Sequence, residues 1–300
     1  MKKIWAYLKI IRVNNSLFAF LCTLFGFYYM KNLENLFIAI ITSLCTFFIA
    51  AGGYALNDYY DFKIDVINKP TRPLPQGTLS LQDAQKISSN LFGTGILLGF
   101  FLIFISFFNI EGAQISSHNS INLFFIVVVN ATFLFLYALH LKKVCFLGNL
   151  IIAWSACSTF LFGALGNDNL KNIFPLICLS FLYTLLREWV KTIEDYEGDR
   201  RENARTLAVV IGESNTWRFV FWGTAFTLII SIIFYFQDSI PPVLFLTICF
   251  IIIVPSSYFI VILKKPRFED VANKIQKYMK YNMLAVVIAY VINDVIQIRI

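Results

Sequence analysis

The chain has 300 residues, of which 58% are hydrophobic and 14% charged, and its mean hydropathy is +0.69. Soluble domains run nearer 45–50% apolar and about 25% charged, and a globule of this size lacks the interior to hide so much apolar surface. This excludes a disordered chain, a coiled coil or a disulfide-stapled module and leaves a polytopic, all-α membrane protein. The net charge of +7 is explained by basic cytoplasmic loops, so no nucleic-acid partner is expected.

In chain order, Met1–Arg12 is basic and amphipathic, without a cleavable signal pattern. Nine apolar runs follow, each near the length that crosses a hydrocarbon core: 15–31, 36–56, 91–109, 121–141, 144–165, 172–190, 218–236, 241–263 and 281–298. They form one transmembrane domain over 1–300. Nearly all of the six cysteines lie inside apolar runs, with no CxxC and no neighbouring His, and read as small hydrophobes.

With the N-terminus in the cytoplasm, 22 of the 25 Lys and Arg fall on the cytoplasmic side; only Lys31, Lys171 and Arg299 fall outside. That split supports nine helices with the N-terminus in and the C-terminus out, in the cytoplasmic membrane. The long loops, 57–90, 191–217 and 264–280, are then all cytoplasmic, which places the functional face there. Lys264–Lys280 reads as an interfacial helix against anionic lipid.

Thirteen of the 18 acids lie on that same side, most of them in two clusters. NDYYDFKID (Asn57–Asp65) ends the second run, and EDYEGD (Glu194–Asp199) follows the sixth. Asn57 and Asp61 are four residues apart, Asp58, Asp61 and Asp65 follow an i, i+3, i+7 pattern, and Asp195 and Asp199 are again four apart. On a helix continuing past the membrane these oxygens share a stripe. Like charges so spaced repel unless a cation sits between them, and hard oxygen donors without His or Cys suit Mg²⁺ or Mn²⁺. Two Asp stripes with basic residues nearby would grip a diphosphate through bridging metal ions. The spacing is not that of an EF-hand, and no P-loop is present.

The basic partners are Arg72, in the stiff loop NKPTRPLPQG; Arg187, Lys191, Arg200, Arg201 and Arg205 around the second cluster; and Lys142 and Lys143 between runs four and five. Some of the 32 Phe and 14 Tyr would line an apolar chamber, where ring faces stabilise an allylic cation.

NDYYDFKIDVINKPTRPLPQG resembles the first signature of the UbiA superfamily of intramembrane prenyltransferases, and REWVKTIEDYEGDRRENARTL its second. Weaker matches occur at Arg12–Asn15, at Tyr137–Lys142 and at Gly148–Asn149. The resemblance implies Mg²⁺-dependent transfer of a prenyl chain from a polyprenyl diphosphate to a membrane-associated acceptor. Carried onto this chain, Asn57, Asp61, Asp195 and Asp199 would bind metal, Asp58 and Asp65 would support them, and Arg72, Lys142, Lys191 and Arg187 would contact the diphosphate. The motifs look most like those of enzymes that add a second geranylgeranyl chain to geranylgeranylglyceryl phosphate in ether-lipid synthesis. An aromatic quinone precursor is the alternative acceptor. Thr192 stands where the lipid-ether group carries an acid, Asn203 where Gly is usual and Val13 where Pro is common. A cation-coupled secondary transporter is the alternative from another class, but its ionisable residues would lie near the bilayer midplane.

Overall fold

The structure, a computed structural model, describes residues 2–31, 36–108, 115–165, 170–201, 203–251 and 268–298. All regular elements in it are helical: α1 (Lys2–Ile10), α2 (Val13–Tyr29), α3 (Leu36–Tyr60), α4 (Phe62–Asn68), α5 (Leu81–Phe107), α6 (Ser117–Leu139), α7 (Leu147–Ala164), α8 (Leu170–Glu194), α9 (Tyr196–Arg201), α10 (Leu207–Ile211), α11 (Glu213–Phe236), α12 (Pro242–Ile251) and α13 (Phe268–Ile298). A single 3₁₀ turn, Leu141–Lys143, lies between α6 and α7.

Six of these helices, α3, α5, α6, α7, α8 and α11, are long and apolar enough to cross a membrane; α1 and α2 add a seventh if the pair, bent by 48°, counts as one. The other two predicted runs are not established as spans among the described residues. The run 241–263 is described only as far as Ile251, and 281–298 is the C-terminal part of α13. Large side chains such as Leu97, Phe100, Trp222 and Phe236 stand 57–79% exposed. Water would not tolerate so many exposed apolar side chains on one protein, whereas lipid does.

The chain divides into two compact units, Met1–Lys142 with Ser155–Ile173, and Lys143–Trp154 with Phe174–Ile300. The first has its core where α3, α5 and α6 pack together, with Phe27, Cys45, Ile49, Leu102, Leu123, Val127 and Phe162 all buried. Lipid tails are as apolar as these side chains, so close approach and polar cross-links hold the helices together. A Cβ on Gly163 would lie 2.0 Å from the carbonyl carbon of Gly26, so the two backbones touch where α7 crosses α2. Thr23 donates to Thr46 at 3.0 Å, Ser88 to the Gly52 carbonyl at 2.9 Å and Asn130 to Ser158 at 2.8 Å, each between helices.

Helix α5 starts ten residues before its apolar run. Ser80 accepts from the Asp83 backbone N–H, and the Asp83 carboxylate accepts from the Ser80 N–H. This reciprocal cap fixes the helix start just after the proline-rich loop.

In the second unit, Leu186, Val190 and Ile193 of α8 pack with Trp217 and Val220 of α11 and with Ala272, Ile275 and Met279 of α13. The reading of 264–280 as an interfacial helix is therefore corrected from Phe268 onward; residues 264–267 lie outside the described set. That stretch is the start of a 31-residue helix. Its apolar stripe is spent on protein packing, because Ala272, Ile275 and Met279 recur at helical spacing and are 0–5% exposed. None of the six cysteines is in a disulfide, and all are buried or half-buried.

Candidate active site

The first acidic cluster sits where α3 runs into α4. Only Asp61 separates the two helices, and the backbone repeat continues through it. Asp61 N–H donates to the Asn57 carbonyl at 2.9 Å and Asp65 N–H to the Asp61 carbonyl at 2.8 Å. Asn57, Asp61 and Asp65 therefore share one stripe beyond the apolar part of α3.

The side chains on this stripe form two sets. In one, Asn57 Nδ2 donates to Asp61 Oδ2 at 2.7 Å, while Lys142 Nζ donates to Asp61 Oδ1. In the other, Asp58 Oδ1 accepts from Arg12 Nη2 at 2.8 Å and from Arg72 Nη1 at 3.1 Å, and Arg72 Nη1 also donates to Asp65 Oδ2. Asp58 and Asp65 are each 3% exposed. Burial lifts the Asp65 carboxyl above its ordinary range, and the charge and hydrogen bond of Arg72 oppose that shift. Asp58 and Asp65 are thus tied up with arginines, and Asp61 is the more open acid of the stripe.

Arg12 was marked in the sequence only as the start of a weak motif. It stands between α1 and α2 at φ 45° and ψ 57°, left-handed for a residue with a Cβ. Its guanidinium lies 4.8 Å from the Tyr54 ring centroid, an arrangement that adds a cation–π attraction to the ion pair with Asp58. Arg72 is presented by the loop after α4, where Arg72 N–H donates to the Lys69 carbonyl and Gln76 N–H to the Arg72 carbonyl. The prolines there stiffen the backbone that carries the guanidinium.

The second cluster follows α8 in the other unit. Asp195 N–H donates to the Lys191 carbonyl at 3.0 Å and Asp199 N–H to the Asp195 carbonyl at 2.9 Å, so the helical repeat passes from α8 into α9 and keeps both acids on one stripe. Arg187 and Lys191 flank Glu188, an acid to which the sequence reading gave no role. Arg187 Nη1 lies 3.4 Å from Glu188 Oε1, and Lys191 Nζ lies 3.8 Å from Glu188 Oε2. Asn273 of α13 donates to Glu194 Oε1 at 2.9 Å, so the helix that was expected on the lipid surface braces this cluster. Thr192 donates to the Trp189 carbonyl within its own helix.

Among the described residues, no three His, Cys, Asp or Glu side chains gather closely enough to hold a metal by themselves. Mg²⁺ asks for less, since one or two carboxylates with phosphate oxygens and waters suffice. The first cluster fits that demand. Asn57 Oδ1 is buried without a hydrogen-bond partner, and it shares its side chain with the amide that touches Asp61. Both are hard oxygen donors, and Lys142 holds on Asp61 the positive charge that a cation would bring.

Apolar helices ending in Asp stripes, the first of them bound by Arg12, Arg72 and Lys142, make up the candidate site of an intramembrane protein. The UbiA prenyltransferase family matches residues 19–284, and the chain belongs to it. A digeranylgeranylglyceryl phosphate synthase of Methanosphaera stadtmanae is 35% identical over 290 residues, covering 95% of this chain and 97% of that one. The enzyme of the same name from Saccharolobus solfataricus is 33% identical over 298 residues, 96% of each chain. A solved structure described for digeranylgeranylglyceryl phosphate synthase in membranes superposes with a TM-score of 0.71 at 30% identity, covering 97% of this chain and 98% of that one. A UbiA homologue from Archaeoglobus fulgidus bound to DMAPP and Mg²⁺ has the same fold, with a TM-score of 0.63 at 15% identity, over 94% and 98% of the two chains. The protein is an integral membrane prenyltransferase, which displaces the transporter alternative.

Proposed function

We propose that the chain, acting as one domain over 1–300, transfers a geranylgeranyl group from its diphosphate to the free hydroxyl of a prenylglyceryl phosphate, in ether-lipid synthesis. The synthases it resembles over 95% or more of its length support the acceptor. The observation that carries the chemistry is the Asp61 carboxylate, held between the Asn57 amide and the Lys142 ammonium at the end of an apolar helix. The 22-to-3 division of basic residues supports a cytoplasmic site, with the N-terminus inside and the C-terminus outside.

In this reading Asn57 and Asp61 of the first unit, and Asp195 and Asp199 of the second, would hold Mg²⁺, which when bound would neutralise charge on the diphosphate leaving group. Lys142, Lys191, Arg187 and Arg72 take diphosphate oxygens by charge-assisted hydrogen bonds. The C1–O bond of the prenyl diphosphate breaks toward an allylic cation, and diphosphate departs with the bonding pair. The acceptor hydroxyl oxygen bonds to C1 and gives up its proton, and diphosphate is a competent proton acceptor. Asp58 and Asp65 keep Arg12 and Arg72 in place.

The test is transfer of label from geranylgeranyl diphosphate by protein purified in detergent, with and without Mg²⁺. Geranylgeranylglyceryl phosphate and 4-hydroxybenzoate are offered separately. Metal-dependent label in the glycerol lipid, lost in Asp61→Asn and Asp195→Asn, is the expected result. Label only in the aromatic product keeps the reaction and overturns the acceptor.

A further inference from the structure

Glu188 lies inside α8 and is 4% exposed. It stands one residue after Arg187, three before Lys191 and seven before Asp195, so the acid, the lysine and Asp195 follow one side of the helix. Its two oxygens are divided between the two cations, Oε1 toward Arg187 Nη1 and Oε2 toward Lys191 Nζ. A buried carboxylate is costly unless paired, and these cations supply the pairing.

The pairing is loose. The contacts of 3.4 and 3.8 Å exceed the ~2.7–2.9 Å of a tight charge-assisted bond. Arg187 Nε is buried without a hydrogen-bond partner, and so is Thr184 Oγ1 one turn before Glu188. Buried donors are rarely left unmade. This group therefore has an aimed but unsaturated guanidinium, with capacity for another anion.

We propose that Glu188 is a positioning residue, which holds Arg187 and Lys191 on the Asp195 side of α8 so that both meet phosphate oxygens of the substrate. The proposal rests on the prenyl-transfer reading above. It also makes a prediction opposite to that of simple charge. Deleting a negative charge beside two cations would tighten anion binding if Glu188 only offset them. If it aims them, deletion weakens binding, because two long side chains lose the geometry they shared.

The test uses full-length protein in detergent and compares Glu188→Gln, Glu188→Asp, Arg187→Gln and the Glu188→Gln/Arg187→Gln pair. Inorganic diphosphate with Mg²⁺ is titrated, and binding is read from the rise in thermal unfolding midpoint. KM and kcat for geranylgeranyl diphosphate are measured alongside. Glu188→Gln is expected to weaken diphosphate about tenfold and to raise KM more than it lowers kcat. Glu188→Asp recovers part of the loss, and the double variant binds no worse than Arg187→Gln. Unchanged or tighter binding by folded Glu188→Gln overturns the proposal. If that variant does not fold, Glu188→Asp decides: about threefold weaker binding supports the proposal, and unchanged binding overturns it. Wild-type protein that transfers prenyl groups while the Glu188 variants bind diphosphate normally refutes only the role of Glu188. Wild-type protein that neither transfers nor binds diphosphate refutes the prenyl-transfer reading, and this proposal with it.

Discussion

Lys142 Nζ is bonded to Asp61 Oδ1, although 81 residues separate them in the chain. Asp61 follows α3, and Lys142 lies in the 3₁₀ turn after α6, so the first unit brings the far ends of two spans to one point. The lysine ammonium and a Mg²⁺ ion would compete for the same carboxylate.

That relationship gives a pair of mutations with distinct signatures. Asp61→Asn removes the proposed charged metal ligand and is expected to lower kcat by about 100-fold or more, in the range of losses seen when a group that stabilises the leaving charge is removed. Lys142→Ala takes away the proposed diphosphate contact, so KM for the prenyl diphosphate is expected to rise. It also relieves competition for Asp61, so the Mg²⁺ concentration giving half-maximal rate falls. Steady-state kinetics over a Mg²⁺ titration separate the two effects.

Asp58 is the shared anchor of Arg12 and Arg72. Asp58→Asn removes the negative charge that two part-buried guanidinium groups share. Removing one partner of a buried ion pair costs about 3–5 kcal/mol. A large drop in the thermal unfolding midpoint of the detergent-purified protein is expected. Arg12→Lys should restore less than full stability, because an ammonium does not keep the planar contact with Tyr54.

The crossing of α2 and α7 tolerates no side chain at Gly163, where a Cβ would lie 2.0 Å from Gly26 backbone. Gly163→Ala is expected to destabilise by about 2 kcal/mol or more, since two backbones must separate. Gly93 is the control: it lies inside α5, and a Cβ there meets nothing within 4 Å. Gly93→Ala should stabilise by up to about 1 kcal/mol through helix propensity. Parallel melting curves of the two variants check this.

Metal removal gives a further outcome. Chelation should abolish prenyl transfer while leaving the helical fold intact, because the ion pairs of Asp58, Asp61 and Asp65 already neutralise the first cluster. Mg²⁺ or Mn²⁺ should restore turnover. Zn²⁺ should do so poorly, because the stripe offers oxygen donors and no His or Cys. Circular dichroism and the transfer assay on one chelated sample report both.

Much of this protein was legible before folding because membrane physics writes itself locally. Apolar length marks α3, α5, α6, α7, α8 and α11, since every backbone group in lipid must be satisfied within its own segment. Helical spacing alone put Asn57, Asp58, Asp61 and Asp65 on one stripe, and Asp195 and Asp199 on another. The character of 268–280 was not legible: its lysines suggested a lipid surface, but Ala272, Ile275 and Met279 fill a protein core. Amphipathicity states that a face must be buried, not against what.

By itself, then, the sequence determined the class of protein, six of its spans and the stripes that its clustered acids share, all of which depend on composition and on spacings of one or two helical turns. Only the tertiary structure decided the partners. Arg72 is bonded to Asp58 and Asp65, Arg12 joins them at Asp58, Lys142 is bonded to Asp61, and Glu188 stands between Arg187 and Lys191. A cation near several acids has no preferred partner in one dimension. Burial makes the choice, because a carboxylate removed from water must find a counter-charge within a few ångströms, and helix packing determines which one is there.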